Sequence, residues 1–200
     1  MIKIQGTIPN KVGVAVSGGP DSMAVLDFLR KGKKEVTALF FHHGTQESRK
    51  GREIVLNYCG THHLSYKEGV ILDSSDTSEA YFREERYEWL HSQNIPVITC
   101  HHLDDCVEEY IISTLKRGFS SVIPYFRYSE KYDTFIFRPF RLTPKYRFIS
   151  WCDRNSITTI SSVGDDLRTN LRSHVVPVIK SYVNPGITNM VRRMMINETI

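Results

Sequence analysis

The chain has 200 residues, 40% of them hydrophobic, and a formal net charge of +4, which is enough for one sizeable core and favours a single domain. No apolar run approaches the roughly 18 residues of a membrane span, and the amino terminus lacks a basic region followed by an apolar stretch and a small-residue cleavage site, so the sequence predicts a cytoplasmic protein with no membrane partner. Cys59, Cys100, Cys106 and Cys152 form neither a CxxC pair nor the regular spacing of a disulfide scaffold, which suits a reducing compartment.

Apolar runs bounded by turn residues occur at Val12 to Val16, Val36 to Phe41, Leu64 to Val70 and Pro96 to Cys100. Helix-length stretches lie between and after them, at Asp21 to Arg30, Glu47 to Cys59, Ser78 to Gln93 and Asp104 to Lys116. Such alternation predicts βαβ units and an α/β fold, a doubly wound and mostly parallel sheet with helices on both faces. Its ligands belong at the carboxyl ends of the strands. From Gly118 to Thr143 the periodicity fails and aromatic and basic residues mix, which reads as a long connection with a short strand at Thr134 to Arg138. A helix after Pro144, a strand at Ile157 to Ile160, a helix from about Leu167 and a last helix after the Asn184-Pro185-Gly186 break complete the expectation. This divides the chain into a main domain over 1–180 and a helical tail over 181–200.

Charge is uneven along the chain. Residues 1–115 hold 12 Lys/Arg against 16 Asp/Glu, giving −4, and residues 116–200 hold 14 against 6, giving +8. A basic carboxyl-terminal part attracts polyanions through counterion release, which points to nucleic acid; a solvated lysine-rich face is the plain alternative.

The most informative segment is Ser17-Gly18-Gly19-Pro20-Asp21-Ser22, directly after the first strand and before a helix. Two glycines let backbone amides approach a phosphate, the Ser17 and Ser22 hydroxyls can donate, and the helix terminus adds partial positive charge. No Lys-Ser or Lys-Thr pair follows, so this is not a Walker A loop. Asp21 would repel a bare phosphate, and its natural partner is a Mg²⁺ ion bridging a phosphate chain. Further along, Asp104, Asp105 and Glu108 open a helix after the fourth strand, where three acids make a cation site for Mg²⁺ or an ammonium group, or simply favourable charge at a helix amino terminus. His101 and His102 are either general bases or polar residues lining a cleft. The His-His pairs at 42–43, 62–63 and 101–102 invite a zinc reading, but Cys59 and His62 supply only an incomplete ligand set and the other pairs fall at nucleotide-cleft positions. Arg117, Arg138, Arg168 and Arg172 are candidate phosphate or RNA contacts, because guanidinium forks match phosphate oxygens. The aromatic residues of 119–135 either stack on bases or fill a core beneath a loop.

The SGGPDS segment resembles the pyrophosphate loop (PP-loop) of the N-type ATP pyrophosphatases, and the chain as a whole resembles the tRNA(Ile)-lysidine synthetase family. The likeness runs through His43, Gly44 and Ser48, through Arg83, Arg86 and Tyr87, and through the 101–108 segment. It continues through Lys116-Arg117-Gly118, Arg138-Pro139 and then Arg168, Leu171, Arg172 and Pro177. Cys106 stands where that family has Gln, and Thr169 where its Asn follows the arginine. The resemblance implies an adenine nucleotide alpha hydrolase-like fold, with ATP held by Ser17, Gly18, Gly19, Pro20, Asp21, Ser22, His43 and Gly44. It implies Mg²⁺ on Asp21 and catalysis by Asp21, Asp104, Asp105 and Glu108. The implied reaction adenylates the wobble cytidine of an isoleucine tRNA and joins free lysine to form lysidine. RNA thiolation, with Cys100 or Cys106 as sulfur carrier, and a non-catalytic RNA- or nucleotide-binding derivative are the competing readings. Family members carry further carboxyl-terminal tRNA-binding domains. A short form has to recognise mainly the anticodon stem-loop or borrow its grip, for instance from a homodimer.

Overall fold

The computed structural model describes residues 1–71, 78–160, 170–183 and 185–197. Its centre is a six-stranded sheet of order β3-β2-β1-β4-β6-β5, comprising β1 (Lys11–Val16), β2 (Glu35–His42), β3 (Ser65–Val70), β4 (Val97–Ile98), β5 (Phe126–Ser129) and β6 (Thr134–Phe137). Every pairing is parallel except β5 with β6. The helices are α1 (Pro20–Lys31), α2 (Gln46–His62), α3 (Glu79–His91), α4 (Leu103–Ile112), α5 (Lys145–Arg154), α6 (Val176–Val183) and α7 (Gly186–Asn197). A π-helical turn over Ser113–Arg117 extends α4, and another over Leu171–Val175 leads into α6.

In the central strands residues alternate between two covered faces, as a doubly wound sheet requires. Val12, Val14, Ala38, Phe40 and Ile98 pack with Met23 and Leu26 of α1, Val55 of α2 and Phe148 of α5. Leu39, Val97 and Ile136 point the other way, onto Tyr87 and Leu90 of α3. Burying a side chain of this size stabilises by about 1.5–3 kcal/mol, so these two layers hold the strands in register. On the first face the carboxylate of Asp27 is buried and ties three helices together. It accepts from Tyr58 Oη at 2.6 Å, Trp151 Nε1 at 2.8 Å and Arg30 at 2.6 Å. Burial opposes its ionisation, but those donors win and hold its pKa below the usual carboxylate value.

The carboxyl-terminal helix belongs to a further layer. Val191 and Met195 of α7 are buried with Leu103 and Val107 of α4, and Gln5 Nε2 donates to the Met195 carbonyl at 3.2 Å. The expected tail over 181–200 therefore packs on the main body within its described residues. The expected strand at Ile157 to Ile160 is not one, because β6 fills the place beside β4 through the pairs Val97↔Ile136 and Ile98↔Phe137. Instead the Ile160 N–H donates to the Gly18 carbonyl at 2.9 Å, so this segment buttresses the glycine loop. The reading of a long connection over 118–143 also missed β5, which pairs with β6 as a hairpin. Of the helix expected from about Leu167, residues 167–169 lie outside the described residues, and the chain is helical at Asn170.

Beside the loop, α2 contributes a close approach that only glycine permits. Gly18 has φ +83°, and a Cβ there would stand 2.7 Å from Gly51 Cα; a Cβ on Gly51 would stand 2.3 Å from the Ser17 carbonyl oxygen. Gly51→Ala is therefore expected to displace the loop, costing about 1–3 kcal/mol of stability and weakening nucleotide binding. Thermal unfolding and ATP titration of the variant check this, and wild-type values in both would refute the close-packing argument.

Candidate nucleotide and acceptor site

Strand order reverses between β1 and β4, both parallel, so the crevice beyond their carboxyl ends is where an open α/β sheet binds a ligand. The segment after β1 is Ser17–Ser22, and the segment after β4 is Thr99–Asp105. Ser22 Oγ accepts from the Ser17 N–H at 3.1 Å and donates to the Gly19 carbonyl at 3.0 Å, while Ser17 Oγ lies 3.4 Å from the Gly19 nitrogen and from Ser22 Oγ. These bonds fold the loop into a cradle at the start of α1. Pro20 occupies the first turn of that helix, where a missing N–H costs nothing.

Asp21 faces the His102 ring and the Lys145 ammonium group. Its Oδ2 lies 3.6 Å from His102 Nε2 and 3.9 Å from Lys145 Nζ, and its buried Oδ1 has no hydrogen-bond partner. An orphaned carboxylate oxygen beside a phosphate-sized cradle suits a hard cation such as Mg²⁺. Among the described residues no three His, Cys, Asp or Glu side chains converge as a metal cage.

His102 is the N-cap of α4. Its Nδ1 accepts the Asp105 N–H at 3.1 Å, and Asp105 Oδ2 accepts the His102 N–H at 2.9 Å, a reciprocal cap that leaves Nε2 facing Asp21. Burial alone would depress the His102 pKa, but the carboxylates of Asp105, Asp21 and Asp104 raise it above its ordinary value. Asp105 shifts upward as well, first through burial and then through Glu108 and Asp21, although His102 counters. His101 hydrogen-bonds Thr99 through Nδ1 at 3.1 Å; burial, aided by Arg138 and Arg86, holds it neutral well below its usual range.

Two cavities open here and share a wall. The first, of about 630 Å³, runs over Ser17, Gly19, Asp21 and Ser22 to Phe40, Ser48 and Lys145. The second, of about 870 Å³, is lined by Arg83, Arg86, Arg117, Arg127 and Arg138, with Tyr87, Glu109 and Phe126. His43, Thr45, Arg86, His101 and Asp105 line both. In the second cavity four guanidinium groups crowd the Tyr87 ring, Arg127 nearest at 4.9 Å and Arg138 farthest at 6.0 Å. Burial opposes ionisation of that phenol, and Arg138, Arg86 and Arg83 more than offset it, holding its pKa below the usual tyrosine value.

The residues expected from sequence divide as follows. Ser17, Gly19, Pro20, Asp21, Ser22 and His43 line the first cavity; Gly18 makes the turn beneath it; Gly44, at φ +79°, turns the chain after β2 toward the N-cap residue Thr45. Of the three acids after β4, Asp105 reaches both cavities. Asp104 accepts the Lys145 N–H at 2.8 Å and so caps α5, while Glu108 is buried and lines neither cavity. Arg117 lines the second cavity and pairs with Glu109 at 3.1 Å. Arg138 is 3% exposed and forms the floor, donating to Tyr87 Oη and the Pro124 carbonyl. Arg168 and the side chain of Arg172 lie outside the described residues.

Sequence reading passed over Lys145, Glu109, Arg127 and Gly51. Glu109 was within reach, being four residues from Asp105 on one helical face. Lys145 carries no local signal, since only the packing of α5 against α1 brings it beside Asp21.

A doubly wound sheet with an anion cradle where its strand order reverses belongs to the class of α/β domains that bind nucleotides. Within that class the family is specific: a PP-loop domain model matches residues 3–178, and the chain belongs to the PP-loop family. It is 29% identical over 181 residues to the tRNA(Ile)-lysidine synthase of Aster yellows witches'-broom phytoplasma, covering 84% of this chain and 41% of that protein. To the synthase of Thermotoga maritima it is 29% identical over 202 residues, covering 91% and 48%. The corresponding protein of Bdellovibrio bacteriovorus is 33% identical over 138 residues, covering 61% and 43%. The chain thus spans less than half the length of each of these relatives. Among solved structures, NMN synthetase from Francisella tularensis superposes with a TM-score of 0.57 at 12% identity, over 94% of this chain and 86% of that one, a likeness of fold. No helix among the described residues is long and apolar enough to cross a membrane.

His43 stands between the cavities with its Nδ1 buried and unpartnered, packed against Phe41 and Phe82. Burial, then the charge of Arg86 and the neighbouring His42, pushes its pKa down from 6.5 to about 4. Between those values the unfolded chain binds a proton that the folded chain refuses, so this group makes stability fall as pH drops from 6.5 toward 4. Its imidazole resonances should titrate near pH 4 by NMR, and His43→Asn should flatten that part of the stability profile. A midpoint near 6.5 would show the ring to be solvated.

Proposed function

We propose that this chain adenylates an RNA base with ATP and passes the activated base to an amine: the wobble cytidine of an isoleucine tRNA is adenylated, and lysine joins it to form lysidine. The observation that carries this reading is the shared wall between a phosphate cradle and an arginine-lined cavity, because a two-step transfer needs nucleotide and acceptor to meet across one boundary. In this reading the oxygen on C2 of cytidine displaces pyrophosphate from the α-phosphate, and the amine then attacks C2 and expels AMP.

Ser17, Gly19 and Ser22 hold the phosphate chain by backbone and hydroxyl hydrogen bonds, with Lys145 offsetting charge on the leaving pyrophosphate. Asp21 holds Mg²⁺, which when bound neutralises the phosphates. Neutral His101 and Asp105, whose pKa burial raises, stand at the boundary and take the protons that the amine must lose. Glu109 attracts the ammonium group before that loss. Asp104 and Glu108 act through helix capping and the packing of α4, which orient Asp105. The arginines of the second cavity, with Arg168 and Arg172, contact RNA phosphates. The curated relatives' names support tRNA as the acceptor, and the basic charge of residues 116–200 supports the same side of the molecule for RNA. Thiolation fits less well, since burial and the carboxylates of Asp21 and Asp105 hold the Cys100 thiol protonated and Cys106 is fully buried.

Nucleosides from isoleucine tRNA incubated with protein, Mg-ATP and lysine should contain a lysine-modified cytidine by mass spectrometry; pyrophosphate release with RNA but no such product, whatever amine is offered, would sink the lysine step. Asp21→Asn should lower pyrophosphate release by roughly 100-fold or more while the fold is retained by circular dichroism. A wild-type rate from that variant would remove Asp21 from the phosphate site.

A further inference from the structure

The β5–β6 hairpin presents two unlike faces. Register pairs Phe126 with Phe137 and Tyr128 with Phe135 on one side, and Arg127 with Ile136 and Ser129 with Thr134 on the other. The second side is inward, with Thr134 and Ile136 buried and Arg127 over the Tyr87 ring. The first is open: Phe126, Tyr128 and Phe135 are 53%, 43% and 39% exposed. Ring centroids on this face lie 4.8 Å apart for Tyr128 and Phe135, 5.8 Å for Phe135 and Phe137, and 6.1 Å for Phe126 and Phe135, a continuous aromatic ladder.

A ladder of this kind on the edge of a sheet is a liability without an occupant, since exposed aromatic edges invite aggregation. At its inner end Phe137 packs against the main core, but Phe126, Tyr128 and Phe135 stand exposed, and the inward face of the same hairpin supplies Ile136 to the packing under α3. The occupant is indicated by where the ladder leads. Phe126 also lines the arginine-rich cavity that Arg117 and Arg127 line, so one end of the apolar face borders a basic one. A single-stranded nucleic acid has this double character, with flat apolar base faces on a polyanionic backbone. Alternate side chains along a strand stand about 6.7 Å apart, so successive rings offer separate outward surfaces over which a base can lie. Stacking on aromatic side chains tolerates any base and contributes about 1–3 kcal/mol for each.

We propose that the outer face of the β5–β6 hairpin, centred on Tyr128 and Phe135 and entered through Phe126, is a stacking platform for unpaired bases flanking the reacting nucleotide. It rests on the reading of the chain as an RNA-modifying enzyme. Phosphates follow the arginines of the cavity while the neighbouring bases splay onto the ladder, which turns the reacting base toward the boundary with the nucleotide cleft.

The test uses an anticodon stem-loop RNA with cytidine at the wobble position, and the same RNA with abasic sites flanking that cytidine. Phe135→Thr and Tyr128→Thr should each weaken binding of the intact loop by roughly 5- to 150-fold, with the slope of affinity against salt unchanged, because no phosphate contact is lost. Phe135→Tyr, which keeps a ring, should bind as the wild type does, and the abasic RNA should bind wild type and Thr variants alike. Melting midpoints verify folding; if Phe135→Thr unfolds, Tyr128→Thr on the open edge strand carries the comparison. Equal affinity of all variants for the intact loop overturns the platform. So does a Thr variant that binds RNA normally but loses self-association in sedimentation, which would make the ladder a contact between copies of this chain. Modified cytidine formed at wild-type rates by a Thr variant with unchanged affinity would overturn the platform and leave the proposed reaction standing. Ladder-dependent RNA binding with no modified nucleoside from the wild type would do the reverse.

Discussion

The central constraint is the parallel pairing of β1 with β2 on one side and β4 on the other. The chain leaves β1 for one edge and must return across the sheet to build the other, so the connections after β1 and β4 part company. They leave a crevice that no strand can fill. Both walls of it are loop-to-helix junctions, where backbone N–H groups are unpaired by the geometry of the helix. Ser17–Ser22 and Thr99–Asp105 meet there because their strands are neighbours, although more than 75 residues separate them in the chain.

Around that crevice, charge is graded. Asp21 is held between His102 Nε2 and the ammonium group of Lys145, and the lysine charge lets a carboxylate sit beside a phosphate cradle. Further out the neutral rings of His43 and His101 separate the cradle from the arginines around Tyr87. The two rings stay uncharged because they are buried near guanidinium groups. A protonated imidazole there would face the same desolvation and a like charge.

The start of α4 concentrates several tasks in few residues. His102 caps the helix and supports Asp21; Asp105 returns that cap and borders both cavities; Asp104 reaches across to cap α5, the helix that delivers Lys145. Adjacent acids on a helix point in different directions, roughly 100° apart, so a cluster in sequence becomes three contacts in space. The hairpin at the far edge of the sheet differs in kind, since Phe126, Tyr128 and Phe135 of its outer face stand exposed and depend for their meaning on the cavity beside them.

The sequence alone determined the alternation of strands and helices, the anion cradle after β1 and the basic bias of the carboxyl-terminal part. These rest on local signals: apolar runs, a glycine pair at a strand-to-helix turn, and charge counts. It also marked β6, but neither β5 nor the loss of the supposed strand at 157–160 could be read locally. Strand pairing depends on which partner is free, and β6 already occupied the place beside β4. Tertiary structure likewise decided that Gly51 must be glycine, that Lys145 stands beside Asp21, that Asp105 rather than Asp104 or Glu108 reaches the cavities, and that Arg138 lies in a floor with little exposure to solvent. Each of these outcomes depends on the approach of segments distant in the chain, whose distances and burial no residue spacing contains.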